Sequence, residues 1–240
     1  MKLSSIILLT MLVLFVTSLF ASNLILKDRY NKLDKSDLYW NYNKISEQPF
    51  KHIKIIGGNI TTIAFEQNKN CSVRVLDFWG GYSKNKVKVT VVNDTLYVNF
   101  SNEYRDLIEK SWMQSKTLVR IAAPELLSFD GCNTNFEIEK FRQKSVDIKL
   151  SGKSRIEVES NNHSFDTLNV IQKDSSQVIF EMNPDIKGSP NMQAKQINAK
   201  LQGITLLDIG HIKVENSNLN IGDSSAVILS GTSIMKSKNN

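Results

Sequence analysis

The chain has 240 residues, of which 41% are hydrophobic and 22% charged, with a formal net charge of +6. That is enough apolar material for one substantial core or two small ones, too much for a disordered chain and too little for a multi-span membrane protein. Two Cys exclude a disulfide scaffold and a Cys-rich zinc module, three His leave little for a His-based metal site, and 4 Pro with 11 Gly exclude a collagen-like chain.

Lys2 is the first charged side chain and Lys27 the next; Leu3 to Leu26 between them carry no charge. As a helix these 24 residues extend about 36 Å, enough to cross a hydrocarbon core of about 30 Å. A cleaved signal peptide and an uncleaved anchor both fit. The length favours the anchor, and Leu19 at the minus-three position of the Ala21–Ser22 site weakens cleavage. The segment contains no Cys, so lipid attachment at a Cys is excluded. Lys27, Arg29, Lys32 and Lys35 follow it, and by the positive-inside tendency they argue against export of what comes next.

Tyr30 to Pro49 is polar with interspersed aromatics. Ser36, followed by Asp37, Tyr39, Trp40 and Tyr42, reads either as the start of a short helix or as part of a stalk. From His52 the period of the sequence changes to two. Ile53 and Ile55, Thr61, Ile63 and Phe65, Val73 and Val75, Val87, Val89 and Val91, then Leu96, Val98 and Phe100 alternate with other residues as strands with one buried face do. Gly57-Gly58, Gly80-Gly81 and Asn93-Asp94 stand where turns are needed. Asn102 to Trp112 is the best helix candidate, and Leu118, Arg120 and Ala122 resume the alternation until Pro124 breaks it.

The second half repeats itself. The 15-residue segments beginning at Val146, Leu168 and Ile197 align without gaps; a weaker copy begins at Ser217, and an earlier one at Leu126 with one residue of slippage. In each, a short strand leads through a turn to a second short strand. Gly131, Gly152, Asp174, Gly203 and Asp223 mark the turns at intervals of 21, 22, 29 and 20, the long interval containing an inserted loop at Asn183–Met192. A two-strand unit of this length cannot bury its own apolar face, but stacked copies can. Stacking predicts three columns: Ile148, Val170, Ala199 and Leu219; Ile156, Val178, Leu207 and Val227; and Val158, Phe180, Ile209 and Leu229. The expected fold is therefore all-β, a parallel β-helix (solenoid) with 20–22-residue coils preceded by an N-terminal apolar helix. An antiparallel sandwich is the alternative. The 24 Asn and 26 Ser suit repeated corners.

Little in the chain suggests chemistry. His52, His163 and His211 share no short motif, and zinc needs three or four ligands. Cys71 and Cys132, 61 residues apart, could pair in an oxidising compartment. Gly222-Asp223-Ser224 lacks the flanking glycines and the histidine partner of a serine hydrolase. Ser83-x-x-Lys86 and Ser233-x-x-Lys236 lack the helix context of a penicillin-recognising pair. Asp147, Lys149, Arg155 and Glu157, outward on one coil, are the residues that a polysaccharide-cleaving groove would use. Basic residues are interleaved with acidic ones, and Lys84, Lys86 and Lys88 read as one solvated strand face, so no nucleic-acid site is expected. The candidate sets of catalytic, cofactor-binding and metal-ligating residues are empty.

The segment from Phe50 to Gly231 resembles the GIN-domain family, head domains of auto-transporter adhesins in bacterial envelopes. The resemblance is carried by FKHIKIIGGNITTIAFEQ from Phe50, the VKVTVVNDTLYVNF hairpin, LVRIAAPELLSFDG with Pro124-Glu125-Leu126, and the LSG turn at Leu150–Gly152; Asp174 and Asp223 depart from the family's turn pattern. It implies a right-handed single-stranded β-helix and an exported location, and it implies no chemistry. The organisation expected is a membrane anchor or signal over 1–26, a polar and aromatic linker over 27–49, a GIN-like β-solenoid over 50–235 and a polar tail over 236–240. The function expected is a non-enzymatic cell-envelope protein, held to the membrane through residues 3–26 or secreted. Its extracytoplasmic β domain would bind a polysaccharide or an envelope protein. The alternatives are a polysaccharide-cleaving β-helix enzyme and an architectural envelope component.

Overall fold

The computed structural model describes residues 3–76, 87–101, 117–139, 141–159, 164–181, 192–210 and 212–229. The chain divides into two compact units, 1–41 and 42–240. The helix expected at 102–112 lies outside the described residues, as do Gly80-Gly81, Lys84 and Lys86.

In the first unit, α1 (Leu3–Lys32) is one continuous helix with no buried residue, long and apolar enough to cross a membrane. Three of its hydroxyls bond carbonyls of the preceding turn. Thr10 donates to the Ile6 carbonyl (2.9 Å), Thr17 to Val13 (2.9 Å) and Ser18 to Phe15 (2.8 Å), the arrangement that hydrocarbon demands of a polar side chain. The helix runs six residues past Leu26. Arg29 and Lys32 occupy its last turn, where cations complement the helix dipole, and Lys32 pairs with Asp28 at 2.6 Å. No helix forms from Ser36. Asp34 Oδ1 accepts from the Ser36 backbone N–H (3.0 Å) and hydroxyl (2.6 Å), and Asp37 Oδ1 accepts from the Tyr39 N–H (3.0 Å). These side-chain acceptors take the N–H groups that a helix would use, so the chain turns instead.

The second unit is almost entirely strand. It comprises β1 (Tyr42–Ser46), β2 (His52–Ile56), β3 (Thr62–Gln67), β4 (Ser72–Leu76), β5 (Val87–Val92), β6 (Thr95–Phe100), β7 (Thr117–Ala123), β8 (Ser128–Cys132), β9 (Asn135–Glu139), β10 (Ser145–Ser151), β11 (Arg155–Glu159), β12 (Ser164–Gln172), β13 (Gln177–Glu181), β14 (Met192–Leu201), β15 (Leu206–Ile209), β16 (Ile212–Ile221) and β17 (Ala226–Leu229). They form two mixed sheets, a nine-stranded one ordered β1-β4-β7-β3-β9-β11-β13-β15-β17 and an eight-stranded one ordered β16-β14-β12-β10-β8-β2-β6-β5. From β8 onward, successive strands alternate between the sheets and every pairing is parallel. At the other end the pairing is not uniformly parallel as the repeat alone suggested: β1–β4, β4–β7 and β5–β6 are antiparallel. The β5–β6 hairpin turns on Asn93 and Asp94, both with positive φ (48° and 57°), as a two-residue hairpin loop requires.

The expected columns exist. Ile148 pairs with Val170, Val170 with Ala199 and Ala199 with Leu219. Ile156 pairs with Val178, Val178 with Leu207 and Leu207 with Val227. In the third column, Val158 pairs with Phe180 and Ile209 with Leu229. The inward positions of both sheets meet in one apolar cluster. Phe129 and Phe136, from opposite sheets, stack at 4.1 Å within it. A second aromatic run links Phe65, Phe141, Phe165 and Phe180 at 6.1–6.5 Å.

Four of the five markers lie in turns, Asp223 without a positive φ. Gly152, Asp174 and Gly203 take positive φ (66°, 63° and 88°), but in the first repeat the left-handed residue is Asn133 (φ 52°) and not Gly131. Gly131 lies inside β8, where a Cβ would come within 2.8 Å of the Phe129 ring and 2.7 Å of Thr134. Its missing side chain makes room for packing, not for a turn.

Candidate binding face

Strand alternation sends every second side chain of each sheet away from the core, and the register lines these outward residues up across strands. In the eight-stranded sheet one such column reads Thr95, His52, Ser128, Asp147, Asn169, Asn198, Asn218. It is bonded along much of its length. His52 Nδ1 lies 2.7 Å from Ser128 Oγ. Asn169 Nδ2 donates to Asp147 Oδ1 (2.7 Å), Asn198 Nδ2 to Asn169 Oδ1 (2.8 Å) and Gln196 Nε2 to Asn198 Oδ1 (2.9 Å). Beside it runs a second column: Tyr97, Lys54, Asp130, Lys149, Ile171, Lys200, Asn220. Lys54 reaches Asp130 at 3.5 Å. Elsewhere on this sheet Lys195 and Lys144 approach Asp166 at 2.6 and 3.9 Å. The hydrogen bond from Lys195 holds the Asp166 carboxyl below its usual range.

The nine-stranded sheet has a different outer face. Across its parallel strands β3, β9, β11, β13, β15 and β17, the outward positions carry Glu66, Glu137, Glu139, Glu157, Glu159, Glu181 and Asp208 against Arg155. Glu137 and Glu157 are direct neighbours, as are Glu159 and Glu181. Burial, reinforced by the charges of Glu157, Glu139 and Glu159, pushes the Glu137 carboxyl up to about 7. Burial also raises Glu157, opposed by its bond to Arg155. Arg120, on β7, reaches Glu139 at 3.5 Å.

The four residues of the hypothetical cleavage groove are thereby separated. Asp147 and Lys149 belong to β10 in the eight-stranded sheet, and Arg155 and Glu157 to β11 in the nine-stranded one. The turn at Gly152 sends the chain from one sheet to the other, so the two pairs face away from opposite sides of the core. Cys71 and Cys132 are both free, half-buried thiols, with Cys132 at the end of β8. His52 stands on the polar column. Asp223 sits in the turn between β16 and β17, where the Ser225 N–H bonds the Gly222 carbonyl at 3.0 Å. His163, His211, Ser83, Lys86, Ser233, Lys236 and the loop 183–191 lie outside the described residues; Met192 opens β14 as a buried residue. Among the described residues no group of three or more His, Cys, Asp and Glu is placed to hold a metal ion.

Sequence reasoning missed the division of charge between the two faces. The signal was present: in the aligned repeats Asp147, Asn169, Asn198 and Asn218 occupy one position and Lys149, Ile171, Lys200 and Asn220 another. What the alignment lacks is which strand joins which sheet.

No family model matches the chain, and no curated protein does. Among solved structures it is similar to a "putative adhesin" from Bacteroides fragilis, at 13% identity over 79% of this chain and 95% of the other, with a TM-score of 0.48. A "putative adhesin" and a "putative lipid binding protein", both from Parabacteroides distasonis, are similar at 13% and 14% identity. They cover 79% and 78% of this chain and 94% of each other chain, with TM-scores of 0.40 and 0.34. At this identity and overlap, the likeness assigns neither family nor function.

Proposed function

We propose that the chain is a membrane-attached protein of the bacterial cell envelope whose β unit is a non-enzymatic binding surface of the GIN type. In this reading β8 to β17 are the coils of a parallel β-solenoid, right-handed as in that family, and 50–235 forms one functional domain. The observation that carries the reading is the pair of outward columns on the eight-stranded sheet, where side chains of neighbouring strands stand in register across seven strands. A partner lying across the strands meets a polar side chain of the first column about every 4.8 Å. Single contacts of this kind are weak, and repetition multiplies them. The uncharged run of α1 supports attachment to a membrane. The extracytoplasmic side follows from the resemblance of Phe50–Gly231 to the GIN-domain family.

The separation of Asp147 and Lys149 from Arg155 and Glu157 counts against the cleavage reading, which needs acid, base and substrate on one face. The full chain, held in neutral-lipid nanodiscs and screened on a glycan array, should retain at least one polymer and release no reducing ends from it. Reducing ends appearing with turnover would establish the enzyme instead. Protease shaving of intact spheroplasts should remove the β unit; protection of the unit until lysis would place it in the cytoplasm.

A further inference from the structure

We infer that the column Lys149–Ile171–Lys200 on the eight-stranded sheet, flanked by Lys153 and Lys173, is the docking track for an acidic polysaccharide lying across the strands. The inference rests on the binding-surface reading and names the partner of that surface.

Lys149, Ile171 and Lys200 are register neighbours on β10, β12 and β14, and all three are exposed. The two ammonium groups therefore spring from backbones two strand spacings apart, about 10 Å. Lys173 follows Ile171 by two residues, and its N–H bonds the Leu150 carbonyl at 3.0 Å, which holds it beside the end of β10. Lys153 lies in the turn that leaves β10. Among the described residues none of these four lysines makes an ion pair, whereas Lys54, Lys144 and Lys195 on the same sheet all approach a carboxylate. The acids of the neighbouring positions already have partners: Asp130, the register neighbour of Lys149 on β8, pairs with Lys54 at 3.5 Å, Asp147 accepts from Asn169, and Asp174 accepts from the Gly152 N–H at 2.8 Å. The track is thus a strip of exposed lysines that, among the described residues, have no ion-pair partner and are open to an external anion.

Two further features narrow the class of polyanion. Ile171 is 40% exposed between the lysines and offers an aliphatic contact to the C–H face of a sugar ring. The bonded column of Asn169 and Asn198, continued by Asn218, runs parallel to the track and presents amide groups at strand spacing to a hydroxyl-rich chain. A lipid surface would use the lysines but not the amides, and Ile171 alone is too little apolar surface to insert. The carboxylates of the nine-stranded sheet repel a polyanion from that face and leave this one.

The test uses the full chain in neutral-lipid nanodiscs, with a polygalacturonate oligomer of about ten sugars as probe and calorimetry in 50 mM salt. The double variant Lys149→Gln/Lys200→Gln is expected to lose about tenfold in affinity, the range that two exposed charge contacts supply. The equal charge change Lys69→Gln/Lys88→Gln should lose less than about twofold, and raising the salt should weaken the parent and shrink the difference. Circular dichroism checks that each variant keeps its β-rich spectrum. Equal losses in the two double variants would overturn the track, since binding would then follow net charge. So would equal affinity for neutral dextran, or binding of phosphatidylglycerol vesicles with the same lysine dependence. If polygalacturonate is ignored while another glycan is bound without cleavage, the track fails and the binding reading stands. Release of reducing ends would remove the binding reading itself.

Discussion

Glu137 is the residue with the most displaced titration in the molecule's described part. Its carboxyl titrates near 7 because burial disfavours its charge and Glu157, Glu139 and Glu159 add repulsion. A carboxyl whose folded pKa lies above its unfolded value of 4.5 binds more protons folded than unfolded between those two values. Its contribution to stability is therefore present below about pH 4.5 and lost as the pH rises through about 7. Glu137→Gln should stabilise the protein at pH 8, by an amount of order 1 kcal/mol once solvent screening is allowed for, and change little at pH 4. Urea titrations at the two pH values check this; a larger gain at pH 4 would reverse the sign. The neighbouring strand supplies a second comparison. Ile156 is fully buried and pairs with Val178, while Arg155 is exposed. Ile156→Ala should cost about 2–5 kcal/mol from lost burial and a cavity, and Arg155→Ala less than about 1 kcal/mol. Both orientations were legible in the sequence because period two fixes which residues share a face. The raised pKa of Glu137 was not legible, because it depends first on the burial of an outward side chain and then on Glu157 and Glu159 arriving from the next strand.

At the scale of the element, the repeat alignment carried most of the information. It placed Ile148, Val170, Ala199 and Leu219 in one column because that register superposes the apolar positions and the turns of every repeat. It went astray at Gly131, where a glycine needed for packing was read as the turn, and the left-handed residue proved to be Asn133. Either residue type tolerates a turn, and only three-dimensional crowding distinguishes them. The antiparallel pairs β1–β4 and β4–β7 were not legible, since no repeat covers those strands and alternation alone does not reveal a partner's direction. The short helix read from Ser36 gave way to turns because Asp34 and Asp37 bond the local N–H groups. Gly152→Ala should be among the costlier turn substitutions. Gly152 has φ +66°, and an added Cβ would press on the Asn133 side-chain oxygen. A loss of about 1–3 kcal/mol is expected. Gly222→Ala, whose Cβ would approach no atom closer than the Leu201 carbonyl at 3.1 Å, should cost less in the same denaturant series.

For the whole molecule, a chain of net charge +6 lines the described outer face of one sheet mostly with glutamates and leaves Lys149 and Lys200 without an ion pair on the other. Composition reports only the sum. The sequence made α1 plain, since 24 uncharged residues admit few other readings, and left its orientation open. Alkaline extraction of membranes should leave the full chain in the pellet. Removal of residues 1–32 should move the remainder to the soluble fraction with a β-rich spectrum, and a disordered spectrum would contradict independent folding of the β unit. The proposed function needs one property above others, namely that the outward columns form a straight ladder of strands in register. Spin labels at Thr95→Cys on β6 and Asn218→Cys on β16, in a Cys71→Ser/Cys132→Ser background, probe this most directly. The two sites belong to one column six strand spacings long. A pulsed dipolar measurement should give a single narrow distance near 29 Å. A distance below about 20 Å would mean that fewer strands separate the two sites, a broad distribution would mean that they are not held in one register, and either would contradict the ladder.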